Sequence, residues 1–259
     1  MKTNSSTLGI LGGLGPMSSA YFYELITTHT QADCDQQHLD ILISSKATTP
    51  DRTMFITGKS NNDPLPIMRE ELNKLIKFGA SVIAIPCNTA HHFYSSLCNR
   101  CNIPVLNIIT LTVQYAAYLG AKSLGIMATE GTILAESYKK SCEKYNIKYI
   151  EPSHSSQKLL SSIIYDSIKC GDKPDLQAFK SIENELIARG CDYIVLGCTE
   201  LSLVAKSFEI RDKYIDSLDV LAACSISICK KNICKYPTTL SDFAYSLFLP
   251  ERTSTNDTL

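Results

Sequence analysis

The stretch Lys77-Phe-Gly79-Ala-Ser-Val-Ile-Ala-Ile-Pro86-Cys87-Asn88-Thr89 decides the fold, because a second stretch of the chain repeats its plan. The second stretch reads Ala188-Arg-Gly190-Cys-Asp-Tyr-Ile-Val-Leu-Gly197-Cys198-Thr199-Glu200. Each pattern predicts the end of a helix, a glycine, a short buried strand and then a cysteine at the strand's carboxyl end. The two glycines are 111 residues apart, and so are the two cysteines. Two copies are too few for a solenoid and indicate two similar domains.

The rest of the chain alternates short apolar runs with segments of helical periodicity. Such alternation is typical of α/β proteins, whose parallel strands are covered by helices on both faces. We therefore expect two similar Rossmann-like α/β domains with mainly parallel sheets, related by a pseudo-twofold axis, and an active site in the interdomain cleft. The predicted strands are Leu8–Leu11, Leu39–Ile43, Val82–Ile85, Val105–Ile108, Leu124–Met127, Tyr149–Ile150, Tyr193–Leu196 and Tyr214–Ile215. The predicted helices include Ser18–Gln31, Ile67–Phe78, Thr110–Leu119, Ala135–Lys144, Lys158–Cys170 and Leu176–Ala188.

The repeat also predicts how the chain is divided. We assign residues 1–112 and 217–259 to the first domain, with a helix that returns to it near the end of the chain, and residues 113–216 to the second. Beyond Tyr236 the chain becomes polar and contains Pro237 and Pro250. We expect this last part to be poorly ordered.

The composition excludes several classes of partner. The 259 residues are 44% hydrophobic and carry a net charge of −1, from 25 basic and 26 acidic residues. This balance gives no electrostatic basis for binding nucleic acid or an anionic membrane. No apolar run approaches the roughly 20 residues that span a bilayer. Because the first six residues are polar and unlike a signal peptide, we expect a cytoplasmic protein.

The cysteine content is high, at 11 residues. Without a signal sequence, we expect reduced thiols, most of them buried as small hydrophobic side chains. Cys98-Asn-Arg-Cys101 is a CxxC pair, but no second pair follows at the spacing of a zinc site. No metal site is predicted.

A glycine-rich turn, Gly12-Gly13-Leu14-Gly15-Pro16, follows the first predicted strand. Such a turn either binds an anion through backbone N–H groups at the next helix or simply connects strand and helix tightly. The dinucleotide-binding fingerprint fails here, because Ser18 takes the place of the third glycine and Pro16 interrupts the motif. We expect no nicotinamide cofactor.

Cys87 and Cys198 each follow a strand, where open α/β sheets place their ligand crevice. Asn88, Thr89 and Thr199 are expected to cap the helices that begin there and to hold a substrate carboxylate. A helix N-terminus stabilises a thiolate, so we expect each cysteine pKa to move down toward neutrality. Two thiols across one cleft meet the requirement of stereoinversion at a carbon acid, since one removes the Cα proton and the other returns a proton.

His91 offers a different interpretation of the same segment. It follows Cys87 by four residues on the predicted helix, within reach of one turn. A Cys/His pair is typical of thiol hydrolases, in which the histidine is the base. We expect instead that His91 packs against the loop or orients it.

The motifs together resemble the aspartate racemase branch of the aspartate/glutamate racemase family. The shared motifs are the GG(M/L)GP turn at Gly12–Pro16, PDRT at Pro50–Thr53, PCNTAH at Pro86–His91 and GCTE at Gly197–Glu200. They occur in the family's order and spacing over about residues 7–230. Leu14 stands where methionine is commoner, and the tail beyond Tyr236 exceeds the usual family length.

The resemblance implies a racemase that works without pyridoxal phosphate or any other cofactor, with Cys87 and Cys198 as its catalytic thiols. Arg52 and Lys169 correspond to family residues that bind substrate carboxylates, and Thr129 and Thr132 to the second domain's ligand-side loop. We add Leu14, Asn88, Thr89 and Thr199 as substrate-binding residues. The resemblance also implies a dicarboxylic amino acid as substrate, aspartate in the first place, reversible activity and a homodimer.

Three alternatives remain open at this stage. In the first, the substrate is glutamate, or both acidic amino acids, since one methylene alone discriminates weakly. In the second, the reaction is that of a related maleate isomerase or malonate decarboxylase, because paired Arg52 and Lys169 suit any dicarboxylate. In the third, the protein is a non-catalytic amino-acid-binding module that keeps the fold.

Overall fold

The computed structural model of the chain describes residues 6–99, 101–208 and 213–249. The first half forms a parallel sheet of four strands in the order β2-β1-β3-β4. The second half forms another parallel sheet in the order β6-β5-β7-β8. The strands are β1 (Thr7–Gly12), β2 (Asp40–Ser45), β3 (Val82–Ala84), β4 (Val105–Leu106), β5 (Ser123–Met127), β6 (Lys148–Ile150), β7 (Tyr193–Leu196) and β8 (Tyr214–Asp216).

The two sheets have the same strand order, shifted by four strands along the chain. The cysteines of the repeat therefore follow equivalent strands, Cys87 after β3 and Cys198 after β7. This arrangement confirms the predicted fold class of two parallel α/β sheets. The helices are α1 (Pro16–His29), α2 (Arg52–Ile56), α3 (Leu65–Lys77), α4 (Tyr94–Cys98), α5 (Ile108–Tyr118), α6 (Glu130–Leu134), α7 (Ser137–Lys144), α8 (His154–Ser162), α9 (Leu176–Ala188), α10 (Thr199–Phe208), α11 (Ser217–Ile228) and α12 (Thr238–Phe248).

Local chemistry explains where the structure departs from the predicted elements. Strand β4 is shorter than predicted, because the Asn107 side chain accepts the Thr110 N–H and starts α5. The predicted helix 135–144 begins two residues late, as α7, because Glu136 before it has a left-handed backbone with φ 54°. The short helix α6, which ends at Leu134, was not predicted. The predicted helix 158–170 widens after α8 into a π turn at Ile163–Ser167 and then tightens into a 3₁₀ turn.

One hydrophobic cluster contains residues of both sheets, and each sheet has a further cluster of its own. Helices α1, α5 and α11 pack together, and their buried side chains touch strand residues of both sheets, such as Ile10 in β1 and Val195 in β7. Helix α11 is buried over nearly its whole circumference, which agrees with its run of apolar and small residues. Its buried Ser225 and Ser227 hydroxyls donate hydrogen bonds to the carbonyl oxygens of Leu221 and Ala244, so both hydroxyl donors are satisfied. Residue 112, at the predicted domain boundary, lies inside α5.

The expectation of a poorly ordered tail is wrong for residues 237–249. Helix α12 packs against α11 and α5 and buries Leu240, Phe243 and Ala244. These residues and Leu247 recur at the i, i+3, i+4 and i+7 positions of one helix face. The polar residues around them hide this short pattern in the composition. Residues 250–259 lie outside the described residues.

The cysteines are less buried than expected. All 11 are free, and Cys142, Cys224 and Cys229 are buried as predicted. Cys34 and Cys170 are exposed, while Cys98, Cys101, Cys191 and Cys234 are partly exposed. Within residues 6–99, 101–208 and 213–249, no helix is long and apolar enough to cross a membrane, and no cluster of three or more His, Cys, Asp or Glu side chains could hold a metal ion.

Asp216 gives the fold a pH dependence. Its carboxylate caps α11 by accepting the Leu218 N–H at 2.8 Å and the Ser202 hydroxyl at 2.7 Å. Burial, and then the charge of Asp219, raise the pKa of Asp216 to about 7. The folded protein therefore holds the carboxyl proton of Asp216 more tightly than the unfolded chain does. Protonation of Asp216 stabilises the folded state fully below about pH 4, and this stabilisation is lost as the pH rises to about 7.

We predict that Asp216→Asn becomes progressively more stable than the wild type as the pH rises. Asparagine keeps an acceptor for the cap and carries no charge to desolvate. The Tm of both proteins, measured at about pH 5 and about pH 8, should show a larger advantage of the variant at the higher pH. An advantage that stays constant or shrinks over this range would contradict the assignment.

Candidate active site

A pocket lies between the carboxyl ends of the two sheets and is lined by residues of both halves of the chain. The structure brings together in it all nine residues that the sequence predicted for the site. These are Leu14, Arg52, Cys87, Asn88, Thr89, Thr129, Lys169, Cys198 and Thr199. Four further residues complete the lining, namely Asp51, Thr53, Tyr165 and Glu200.

Cys87 is held through its backbone by His91. The Ile108 N–H donates to His91 Nε2 at 3.3 Å, so His91 Nδ1 carries the hydrogen and donates to the Cys87 carbonyl at 2.9 Å. The ring is buried, and this burial lowers the pKa of His91. His91 is absent from the pocket lining. This geometry agrees with the predicted orienting role and gives no contact for a base of a thiol hydrolase.

Contrary to the prediction, Asn88 does not cap a helix. A 3₁₀ turn, Thr89–Phe93, follows it, and no side chain caps that turn. The Asn88 amide instead accepts the Tyr138 hydroxyl at 2.7 Å and donates to Ser217 Oγ at 3.0 Å. Ser217 in turn donates to the Leu196 carbonyl at 2.7 Å. These bonds fix the amide between the two halves and leave its second N–H hydrogen for a ligand.

Three threonine hydroxyls from both halves meet at the pocket. Thr89 Oγ1 lies 2.8 Å from Thr129 Oγ1 and 2.9 Å from Thr132 Oγ1, which are themselves 3.0 Å apart. Thr129 also begins α6, where its hydroxyl accepts the Thr132 N–H. All three side chains are buried. The triangle ties the 3₁₀ turn after Cys87 to the loop after β5.

Arg52 is a buried cation without a counter-ion in the described residues. Its guanidinium donates to the carbonyls of Pro50 at 3.0 Å, of Thr49 at 3.4 Å, and of Leu14. Across the described parts of the chain, no carboxylate oxygen lies within 4 Å of it, and its Nε has no hydrogen-bond partner. The neighbouring Asp51 carboxylate caps α2 by accepting the Met54 N–H at 2.8 Å. A substrate carboxylate would supply the missing negative charge.

Lys169 and Cys198 share one carboxylate, that of Glu200. Lys169 Nζ lies 2.7 Å from Glu200 Oε1, and the Cys198 thiol donates to Glu200 Oε2 at 3.0 Å. Burial opposes the charge of both partners in the ion pair, but their attraction prevails, so the pKa of Lys169 is raised and that of Glu200 is lowered. Lys169 is therefore a cation whose charge Glu200 already balances when no substrate is present.

The expectation of a lowered pKa is wrong for Cys198. Burial, followed by the charge of Glu200, raises the pKa of this thiol well above its usual value. Cys198 does lie directly before the N-terminus of α10, as predicted. A buried carboxylate at hydrogen-bond distance outweighs the partial charge of the helix end, which amounts to about half an elementary charge.

Sequence reasoning missed four lining residues, of which Glu200 and Tyr165 matter most for the charges of the site. Glu200 stood in the quoted GCTE motif, but its side chain folds back from the first turn of α10 onto Cys198. The Tyr165 ring lies 5.4 Å from Lys169 Nζ, and burial raises the pKa of its hydroxyl. Tyr165 belongs to the π turn, a local widening that is frequent at functional sites. The sequence periodicity gives no sign of that turn.

The pocket holds little free space. Its interior leaves about 10 Å³ for the centre of a water molecule, which is about what one water needs. Helices α2 and α6 meet beside the pocket, where a Cβ on Gly131 would lie 2.8 Å from Thr53 Cα. An ion pair between Lys59 and Glu130, 2.8 Å long, joins the same two segments at the surface. A substrate larger than a water molecule therefore has to displace side chains of the lining.

We predict that Gly131→Ala disturbs the contact between α2 and α6. The added methyl group meets the backbone of α2, the helix that carries Arg52, and backbone cannot rotate out of the way. Overpacking of this kind costs about 1–3 kcal/mol. Racemisation kinetics should show a lower kcat/KM, and urea unfolding would measure the loss of stability. Kinetics and stability that both match the wild type would show that the helices do not approach as described.

The comparisons with known proteins identify the family of the chain. A family model described as Asp/Glu/Hydantoin racemase matches residues 11–224. The broad specificity amino-acid racemase of Bacillus subtilis is 26% identical over 234 residues, which cover 85% of this chain and 96% of that protein. The glutamate racemase of Persephonella marina is 25% identical over 180 residues, 68% of each chain.

Solved structures show the same fold. The Picrophilus torridus aspartate racemase aligns with a TM-score of 0.79 and 26% identity, over 91% of this chain and 99% of that one. A glutamate racemase from Francisella tularensis, solved with D-glutamate, aligns with a TM-score of 0.64 and 17% identity, over 95% and 94% of the two chains. The match of the family model over most of the sequence places this chain in the Asp/Glu/hydantoin racemase family, as an isomerase that acts on amino acids.

Proposed function

We propose that the protein interconverts L- and D-aspartate, without a cofactor, by acid/base catalysis at Cα between the thiols of Cys87 and Cys198. One observation carries the proposal. The two cysteines of the internal repeat, which follow equivalent strands of separate sheets, line one buried pocket. A single cysteine in such a place is compatible with a packing role, whereas two in one pocket are suited to proton transfer on both faces of a substrate.

The reaction needs one thiolate and one thiol. The thiolate removes the Cα proton, the electron pair of the C–H bond stays on the substrate as a carbanion, and the thiol of the other cysteine protonates the opposite face. The enzyme then holds one proton on the pair as before, but on the other sulfur. The carbanion is stabilised where its charge spreads into the α-carboxylate, by cations and N–H donors that already point there.

The charges of the pocket favour a dicarboxylic amino acid. Arg52 lacks a counter-ion among the described residues and is suited to one substrate carboxylate through its planar fork of donors. Lys169 is suited to the other carboxylate once it leaves Glu200, which is then free to accept the substrate ammonium. Arg52, Lys169 and Glu200 together complement a substrate with two carboxylates and one ammonium group. The second carboxylate of the lining, Asp51, is engaged in capping α2.

The choice of aspartate rests on the comparisons and on the small free volume of the pocket. The solved aspartate racemase of Picrophilus torridus is 26% identical to this chain, and a pocket with so little free volume suits the shorter side chain. Glutamate differs by one methylene, a difference worth only about 1–3 kcal/mol in such a pocket. A preference for aspartate of roughly tenfold or more in kcat/KM is therefore expected.

The test measures racemisation of L-aspartate and L-glutamate by chiral chromatography, without pyridoxal phosphate. The proposal predicts conversion of both enantiomers of aspartate, with glutamate slower. Aspartate that binds in calorimetry while its Cα exchanges no hydrogen with heavy water would identify a binding module instead. Faster conversion of glutamate than of aspartate would reverse the substrate assignment.

A second candidate is a racemase of broad specificity, favoured by the Bacillus subtilis relative. The same assay, extended to neutral and basic amino acids, separates the two candidates. A broad-specificity enzyme racemises amino acids that lack a second carboxylate about as fast as aspartate. An enzyme that needs both substrate carboxylates for binding does not. The homodimer stays a prediction, which sedimentation of the purified protein tests.

A further inference from the structure

We propose that Glu200 is a positioning residue that keeps the single proton of the thiol pair on Cys198 while the pocket is empty, so that Cys198 starts as the acid and Cys87 as the base. The proposal rests on the two-thiol reaction proposed above. It makes the two halves of the duplicated site chemically unequal before any substrate binds.

The Glu200 carboxylate is fixed from three sides. Lys169 holds Oε1 at 2.7 Å, and the Cys198 thiol donates to Oε2 at 3.0 Å. On the third side lies Gly15 of the glycine-rich turn, where a Cβ would stand 2.7 Å from Oε1. The absence of a side chain at Gly15 therefore makes room for the carboxylate. The Glu200 side chain is only 8% exposed, so water competes little for these contacts.

A thiolate on Cys198 would be strongly disfavoured in this setting. It would place a second negative charge 3.0 Å from Oε2, in a pocket that water hardly enters. It would also lose the hydrogen bond that the thiol donates. Lys169 lies nearby, but its charge is already paired with Glu200. The raised pKa of Cys198 agrees with this reasoning.

The first half of the repeat lacks this arrangement. The alignment that pairs Cys87 with Cys198 pairs Thr89 with Glu200, so a neutral hydroxyl takes the place of the carboxylate. That hydroxyl is engaged by Thr129 and Thr132. In the part of the chain that the structure describes, no carboxylate oxygen lies at hydrogen-bond distance from Cys87 Sγ. The other titratable groups that line the pocket are Asp51, Arg52 and Tyr165.

This asymmetry has a defined kinetic consequence. The enantiomer whose Cα hydrogen faces Cys87 reacts with the resting enzyme directly, and the proton of Cys198 goes to the product. Cys198 must then regain a proton and Cys87 must lose one, through solvent, before the next turnover. Because the equilibrium constant of racemisation is 1, kcat/KM has to be equal in both directions. The asymmetry therefore appears in kcat and KM separately.

Alkylation of the thiols as a function of pH tests the proposal without relying on activity. The substrate-free protein is treated with iodoacetamide over a range of pH, and the labelling of each cysteine is quantified by peptide mass spectrometry. In the wild type, labelling of Cys87 should rise at lower pH than that of Cys198. In Glu200→Gln, the midpoint of Cys198 should fall by at least about one pH unit, as for removal of a neighbouring like charge.

The matched control is Glu71→Gln. Glu71 is a similarly buried carboxylate outside the pocket. It accepts a hydrogen bond from the Ser44 hydroxyl and forms an ion pair with Lys74. Its removal should leave the Cys198 midpoint unchanged. If Glu200→Gln does not fold, the order of the Cys87 and Cys198 labelling midpoints in the wild type still tests the proposal. Cys198 labelled at lower pH than Cys87, or a Cys198 midpoint that Glu200→Gln leaves in place, would overturn the proposal.

The outcome is separable from that of the proposed function. If the midpoints behave as expected but no amino acid is racemised, proton placement by Glu200 stands and the two-thiol racemase fails. If aspartate is racemised but the midpoints do not depend on Glu200, the racemase stands and this inference fails. A difference in kcat between L- and D-aspartate that disappears in Glu200→Gln would support the asymmetry by an independent route.

Discussion

Cys87→Ala and Cys198→Ala are each expected to abolish racemisation of aspartate. Each variant lacks the group that adds or removes a proton on one face of Cα, so the sequence of two proton transfers cannot be completed. General acid/base groups contribute about 10²–10⁴-fold to a rate, and here each group is needed in both directions. We expect a loss of at least about 10³-fold for each variant, and a double variant that is little worse than either single one.

Chiral chromatography of aspartate incubations checks this prediction. Cys34→Ala is the matched control, since Cys34 is an exposed free cysteine outside the pocket lining. The control should keep the wild-type rate, and unfolding in urea should show that both pocket variants remain folded. Activity of either pocket variant within tenfold of the wild type would exclude that thiol from proton transfer.

Replacement of Arg52 is expected to have the second largest effect. Arg52→Met removes the buried cation for which the described residues supply no counter-ion, so a substrate carboxylate would enter the pocket without its partner. Truncation of one member of a buried charge pair costs about 2–5 kcal/mol, which corresponds to roughly 30-fold to several thousandfold in kcat/KM. Arg52→Lys should recover only a small part, because an ammonium group cannot reproduce the planar fork.

Lys59→Met provides the control for this prediction. Lys59 is another cation near the pocket, but it is exposed and pairs with Glu130 at the surface. Exposed pairs of this kind contribute about 0–1 kcal/mol, so kcat/KM should change by less than about tenfold. Urea unfolding separates the loss of binding from the loss of the bonds that Arg52 makes to carbonyls. An Arg52→Met enzyme with near wild-type kcat/KM would remove Arg52 from substrate binding.

The fold could be predicted from the sequence because its signals are local and repeated. The glycines at residues 79, 120, 171 and 190 were expected to end helices, and all four have positive φ. All eight predicted strands lie within about two residues of the observed ends, including β4, which stops early, before Asn107. Helix α12 was missed, because a four-residue apolar face in a polar tail gives too weak a pattern.

Most of the pocket lining was predictable from the sequence, but its electrostatics were not. The nine predicted residues lie at the ends of strands or in turns that the motifs mark, so topology brings them together. The bonds between their side chains depend on contacts between the two halves. The Lys169–Glu200 pair joins residues 31 positions apart, and no spacing rule indicates it. The expected pKa of Cys198 had the wrong direction because it considered only the helix end and omitted this carboxylate.

The transfer of the Cα hydrogen tests the central claim most directly. L-aspartate carrying deuterium at Cα is incubated with the enzyme in ordinary water, and the first D-aspartate formed is isolated and analysed by mass spectrometry. If Cys87 and Cys198 act on opposite faces, the deuterium goes to one sulfur and the product receives hydrogen from the other, so this D-aspartate contains no deuterium. Early D-aspartate that retains the substrate's deuterium would show that one group serves both faces, which contradicts the two-thiol account.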